Sequence, residues 1–239
     1  MIIHVHGNYL GTQYHLLSGI KKRIFYFLIS KFTKGIVLSD SLKPNLTPFL
    51  SSKKIVALPN FAEKYLISDF PINTNEIRIV YLSNLMEEKG ILILLNALQV
   101  LEEKSVKYIA KVTGNIDYRL SKEIKERLKK IKNTNYIGIV EGKTKKELLE
   151  WGNIFVLPTY YKMEGQPISI LEAMATKNVI ITTKHAGIPD IITEKVNGFF
   201  VEKKDVESLT SILIYLSNIF FVFIKIYKFQ KVSLHNFRQ

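Results

Sequence analysis

The chain is predicted to be α/β, built from parallel sheets covered by helices, with the chain divided into two lobes. Short apolar runs alternate with longer segments of helical period, and the strand-like runs are apolar throughout rather than on alternate residues. With 239 residues, 47% apolar and 23% charged, there is material for two modest cores. A third observation sets the division: the stretch PNFAEKYLISDFPINTNEI (59–77) interrupts the alternation with Pro, Asn and Asp and reads as a linker.

Strands are expected at 2–5, 35–39, 54–58, 77–82, 107–112, 136–140, 153–157, 178–182 and 198–201. Helices are expected at 20–32, 40–50, 88–103, 119–131, 143–151, 167–176 and from 205 onward. The first lobe (1–67) would then hold three strands and the second (77–205) six, leaving 206–239 as a terminal helix and an atypical tail. In that tail SLTSILIYLSNIFFVFI (208–224) carries no charge and is followed by a basic stretch. It falls a little short of the roughly 20 apolar residues that span a bilayer. A membrane-seeking segment and a terminal helix are both open readings.

Composition narrows the partners. The absence of cysteine removes disulfides and thiolate metal sites, and fits a reducing compartment. A net charge of +13 favours an anionic partner: nucleic acid, an acidic membrane surface or a phosphorylated substrate. No zinc-finger, helix-turn-helix or RNP-like signature accompanies the charge, so nucleic acid is not the expected partner. The N-terminal MIIHVHGNYL has neither the basic start nor the long apolar core of a signal peptide and reads as a buried strand. Residues 20–34, IKKRIFYFLISKFTK, hold five basic and no acidic residues, with Ile20, Ile24, Phe27 and Leu28 on one helical face. That helix either lies against an anionic membrane or packs on its sheet with a solvated basic face.

Three stretches carry candidate chemistry. In EGQPISILEAMA (164–175), Pro167 suits a first helical turn, and the amides around Gly165 and Gln166 form a seat for phosphate oxygens or sugar hydroxyls. Glu172 falls about one and a half turns into the helix. Spacing alone favours a near-cap Glu164 and a solvent-facing Glu172 over a chemical pair. In YLSNLMEEKG (81–90), Lys89 at a helix start could offer a point charge to phosphate, or be a solvated surface lysine. In HVHG (4–7), His4 and His6 share a strand face. A metal pair is conceivable there, but no third ligand stands at useful spacing, and a polar contact from His6 to a substrate is the better reading.

EGQPISILEAMA resembles the Glu-x7-Glu motif of retaining glycosyltransferases of the family 4 type (glycosyl transferases group 1), which have the GT-B fold of two Rossmann-like lobes. The surrounding NIFVLPTYYKMEGQPISILEAMATKNVIITTKHAGIPDIITEKVNGFFV follows that family closely, and the likeness runs from about residue 1 to 205, strongest over 77–201. The resemblance implies transfer of a sugar from a nucleotide-sugar donor to a saccharide or lipid-linked acceptor, without a metal or other cofactor, in cell-surface polysaccharide assembly. It implies that Glu164 and His6 address the donor sugar, Glu172 the ribose, Lys89 the diphosphate, and Gly165, Gln166 and Pro167 the sugar–phosphate region. Cytoplasmic placement is expected, with the basic helix at the inner face of the membrane.

Several positions depart from the family. Asn84 and Ser83 stand where an arginine and a glycine are usual, so a bidentate cation is missing at the donor phosphates. Lys177 replaces a glycine after EAMA-x. The opening strands and glycine-rich loop of family members have no counterpart, and the tail beyond about 217 does not match. A lobe incomplete at its N-terminus, with a frame-shifted tail, is therefore expected. A catalytically inactive nucleotide-sugar-binding or membrane-associated protein is the rival reading.

Overall fold

The computed structural model describes residues 1–67, 69–71 and 76–227, with side chains through residue 219. Residues 68 and 72–75 of the expected linker, and 228–239 of the expected tail, lie outside the described residues. The chain forms two compact units. One comprises Met1–Asn60, Tyr161–Ile168 and His185–Ile191; the other comprises Phe61–Tyr160, Ser169–Lys184 and Ile192–Gln239. The first division, at Asn60/Phe61, falls inside the expected linker. Two loops expected with the second lobe cluster instead with the first.

The first unit holds a three-stranded sheet of β1 (Ile2–Val5), β2 (Lys34–Val37) and β3 (Ile55–Ala57), in that order and all parallel. Between β1 and β2 lie α1 (Tyr9–Leu16) and α2 (Gly19–Ser30). Its core is Val37, Leu38, Leu42, Leu46, Phe49, Leu50 and Ile55, against which Tyr14 of α1 and Phe25 and Ile29 of α2 pack. The expected helix at 40–50 is a 3₁₀ turn over Asp40–Asn45, because Pro44 inside it cannot donate an α-helical hydrogen bond.

The second unit holds six parallel strands: β4 (Arg78–Leu82), β5 (Ile109–Thr113), β6 (Thr134–Tyr136), β7 (Ile154–Leu157), β8 (Val179–Thr183) and β9 (Gly198–Val201). Their order is β6-β5-β4-β7-β8-β9. The helices are α3 (Ile91–Glu103), α4 (Ser121–Lys130), α5 (Gly142–Trp151), α6 (Ile168–Ala175, whose first residue clusters with the first unit) and α7 (Val206–Tyr227). Every residue of β7 and β8 is buried, as their unbroken apolar sequences require in a sheet covered on both faces. Sequence order reverses between β4 and β7, which are neighbours although 5 and 6 intervene in the chain. In open parallel sheets the C-terminal edge at such a reversal is the usual ligand position.

A short turn over Glu87–Lys89 leads from β4 into α3 through Gly90, which has φ of 82°. A Cβ at Gly90 would run into the Pro158 carbonyl oxygen, just beyond β7. Glycine is required twice over, by conformation and by the closeness of the two loops. Gly90→Ala is expected to cost about 2 kcal/mol or more in urea denaturation, combining left-handed strain with the clash. Unchanged stability would mean the two loops are not packed this closely.

Candidate functional site

In the first unit the residues after β1 meet the EGQP segment through the backbone. Gly7 forms an antiparallel bridge with Gly165, and the Asn8 N–H donates to the Glu164 carbonyl at 3.2 Å. A Cβ at Gly165 would collide with the His6 carbonyl oxygen, so this approach exists only with glycine there. The arrangement is held by polar side chains that sequence reasoning missed. Asn45 is buried; its Nδ2 donates to Asn8 Oδ1 at 2.8 Å and its Oδ1 accepts from the Gly11 N–H at 3.2 Å. Asn60 donates its backbone N–H to Gln166 Oε1 and its Nδ2 to the Gln166 carbonyl, both at 2.8 Å. The Gln166 side chain therefore fastens its loop to the end of β3.

Glu164 is 6% exposed, and its N–H donates to the Tyr161 carbonyl at 2.9 Å. Gly165 and Pro167 are buried as well. The helix begins at Ile168, so Pro167 stands just before it rather than in its first turn. His6 is exposed and its ring lies 4.2 Å from that of His4, centroid to centroid. Partial burial and the neighbouring His6 hold the His4 pKa below the ordinary imidazole value. Among the described residues no group of three or more His, Cys, Asp or Glu side chains could hold a metal.

The second unit contributes the other candidates. Lys89 is half-buried in the turn between β4 and α3, and its carbonyl accepts from the Tyr81 hydroxyl at 3.3 Å. Asn84 is exposed, and its carbonyl accepts from the same hydroxyl at 3.1 Å. The loop after β7 is tied to this turn: the Glu88 carbonyl accepts from the Tyr160 N–H at 2.8 Å and from the Thr159 hydroxyl at 3.3 Å. The Tyr160 hydroxyl donates to Glu87 Oε1 at 3.3 Å, and burial together with the Glu87 charge pushes its pKa up to about 12. The start of α3, at Gly90, has no side-chain cap.

Glu172 is 5% exposed, which corrects the expectation from spacing of a solvent-facing helix residue. Its Oε1 lies 2.5 Å from Lys145 Nζ on α5. Burial works against the ammonium charge of Lys145, but the hydrogen bond and charge of Glu172, with Tyr65 and Glu63, outweigh it and raise its pKa above the ordinary lysine value. No local pattern could have revealed this pair, because 27 residues separate its members.

The Glu164 loop neighbours a second one, residues 185–191. The Gly187 N–H donates to the Gly165 carbonyl at 2.9 Å. At the far end of that loop Asp190 accepts from the Ser41 N–H at 2.9 Å and from its hydroxyl at 2.5 Å. Partial burial opposes the Asp190 charge, yet these hydrogen bonds prevail and hold its pKa below the usual carboxylate range. The folded value is depressed, so this stabilisation is present above the unfolded pKa of about 3.9 and is lost as pH falls through the folded one. Asp190→Asn is expected to cost about 0.5–1 kcal/mol at pH 7, a modest figure because the carboxylate is exposed. In stability curves run from pH 7 to pH 2 the gap from the parent should close in acid; a gap independent of pH would refute the assignment.

With a parallel sheet in each of two α/β units, the fold is GT-B-like, as in the solved structures described below. The chain belongs to the glycosyl transferases group 1 family, whose model matches residues 64–218. It is 28% identical over 148 residues to the amylovoran biosynthesis glycosyltransferase AmsK of Erwinia amylovora, covering 59% of this chain and 36% of that one. It is 24% identical over 218 residues to the capsular polysaccharide biosynthesis glycosyltransferase CapM of Staphylococcus aureus, covering 83% and 57%. The chain thus spans between about a third and three fifths of the length of these relatives. Among solved structures it resembles a Rickettsia africae glycosyltransferase with a TM-score of 0.79 at 19% identity, covering 98% of this chain and 65% of that one. It also resembles Anabaena HepE in complex with UDP, with a TM-score of 0.75 at 16% identity, covering 95% and 66%.

Proposed function

We propose that the protein moves a sugar, with retention of anomeric configuration, from a nucleotide-sugar donor to a saccharide or lipid-linked acceptor in cell-surface polysaccharide synthesis. The observation that carries this reading is the pairing of β4 with β7 where strand order reverses: the Lys89 turn leaves one strand, and the chain leaving the other leads into α6 and Glu172. The names of two relatives refer to amylovoran and capsular polysaccharide biosynthesis. HepE has been solved with UDP-glucose.

In this reaction the glycosyl–phosphate bond breaks, so positive charge develops on the sugar and negative charge on the departing diphosphate. Lys89 and the first-turn amides of α3 stabilise the leaving group, which makes a metal unnecessary. Glu164 and His6 hold the sugar, and Glu172 accepts from the ribose hydroxyls, remote from the reacting carbon. The two carboxylates are therefore not a glycosidase acid–nucleophile pair. Asn84 supplies no cation, which places the phosphate charge on Lys89 and the amides.

Glu164→Gln, which keeps the side-chain shape, is expected to lower transfer at least about a hundredfold while circular dichroism stays that of the parent. Glu164→Ala should do the same. The assay is product formation from a panel of UDP-, GDP- and ADP-sugars with calorimetry on the same donors. Full turnover by both variants would overturn the role of Glu164. Donor binding by the parent without product would instead favour a nucleotide-sugar-binding protein that does not transfer.

The first unit also supports a peripheral place on an anionic membrane. Every residue of α2 is at least partly exposed, and Ile20, Ile24, Phe27 and Leu28 are between 53% and 71% exposed along one stripe. Lys21 and Arg23 flank that stripe, Lys31 Nζ lies 4.3 Å from the centre of the Phe27 ring, and no acidic residue precedes Asp40. Among the described residues no helix is long and apolar enough to cross a membrane. Sedimentation with phosphatidylglycerol vesicles is expected to capture the protein, with capture weakened by salt and by Phe27→Ser. No capture, equal capture by phosphatidylcholine vesicles, or a dimer lost in Phe27→Ser would each defeat the membrane as occupant of this face.

A further inference from the structure

We propose that Lys145 is a positioning residue for nucleotide recognition: its ammonium fixes the buried Glu172 carboxylate through one oxygen, so that the other is presented to the ribose hydroxyls. The inference rests on the nucleotide-sugar reading above and adds to it a residue and a role.

The three lysines of α5 divide by partner. Lys143 and Lys146 pair with Glu147 and Glu150 one turn along their own helix at 3.6 and 3.7 Å, which is ordinary surface pairing. Lys145 instead leaves its helix and reaches Glu172 on α6. The bond is short and the carboxylate nearly sealed from water, and Lys145 is itself mostly covered. Glu63 and Tyr65 bear on Lys145 electrostatically from a third segment.

Stability does not account for such a pair. Taking two charges out of water costs about as much as their attraction returns, and apolar residues of similar volume serve a core as well or better. The neighbours of Glu172 on α6 are Ile170, Leu171, Ala173 and Met174, so an apolar residue at 172 would continue an already apolar helix. The carboxylate is retained in a place that disfavours it, on the helix that follows the switch-point strand β7. A carboxylate accepts along about four lone-pair directions, and one ammonium occupies part of that capacity. A ribose offers two vicinal hydroxyl donors that suit the remainder. Held by Lys145, the carboxylate is oriented before the nucleotide arrives, and less ordering is left for the binding event.

A structural pair and a positioning pair differ in what their loss does to analogues. A merely structural role for Lys145 would weaken ribonucleotides and deoxyribonucleotides alike; a positioning role would weaken only those whose hydroxyls Glu172 receives. The probes are UDP, GDP and ADP with their 2′- and 3′-deoxy counterparts, measured by calorimetry on the full chain. The parent is expected to prefer its ribonucleotide over at least one deoxy analogue about tenfold. Lys145→Met should reduce that preference to about threefold or less, chiefly by weakening the ribonucleotide, while Lys145→Arg keeps most of it. Should Lys145→Met not fold, Lys145→Gln, which keeps a donor and drops the charge, reads the same ratio. An undiminished preference in the folded variant, or equal weakening of both nucleotides, overturns the positioning role and leaves the donor reading standing. No binding of any of the three diphosphates by the parent overturns both.

Discussion

Among the described residues every strand pairs parallel with its neighbours, and that condition decides where chemistry can sit. Parallel strands need long crossovers, so within each sheet all C-terminal ends share one edge and the connecting chain must return over a face. The central strands β7 and β8 are buried throughout, and much of the candidate polar chemistry falls in the residues beyond the strand ends. In the first unit those are His6, Gly7 and Asn8 after β1 and Ser39 after β2, with Asn60 three residues past β3. In the second they are Asn84 and Lys89 after β4 and Thr159 and Tyr160 after β7.

Loops at such an edge lack the hydrogen-bond ladder of a sheet, and each unit replaces it in the same way. A glycine lets two backbones meet, and side-chain amides or carbonyls then tie the loops. In the first unit Gly165 lies against His6, with Asn45 and Asn60 as ties. In the second Gly90 lies against Pro158, with the Glu88 carbonyl as the tie to Thr159 and Tyr160. A single hydrogen bond contributes only about 1 kcal/mol net. Several of them around one close approach place a loop with little freedom, which a binding surface requires before any ligand arrives.

These devices also explain what could be read in the sequence. The sheets were legible because β7 and β8 are buried on both faces, and continuous apolar runs such as Ile-Phe-Val-Leu leave few alternatives. The expected strand at 136–140 failed for the opposite reason. β6 is an edge strand made of Thr134, Asn135 and Tyr136, and the more apolar YIGIV beside it is turned out of the sheet at Gly138, which has φ of 75°. α1 was missed because Tyr9–Leu16 mixes polar and small residues without an apolar stripe. Of the candidate residues, Glu164, Lys89 and Glu172 could be proposed from short motifs in the sequence. Asn45, Asn60 and Lys145 could not, since each acts on a partner between 27 and 106 residues away.

The basic helix carries charge and apolar surface together, and the proposed membrane contact rests on both. Had α2 packed its Ile20 stripe on the sheet, the lysines would be a solvated face and nothing more. Its inner face is instead Phe25 and Ile29, and Lys22 Nζ lies 4.7 Å from the centre of the Tyr14 ring. The helix is thus apolar on two opposite sides, with Lys21 and Arg23 at the borders of the outer one. Covering four such side chains would gain several kcal/mol at about 1.5–3 kcal/mol for each fully buried chain. Cations beside an anionic surface add about 1 kcal/mol each. An apolar protein partner would satisfy the stripe but leave its basic borders without an opposite charge. The proposed lipid surface with anionic headgroups would satisfy both features in the order they occur across the helix.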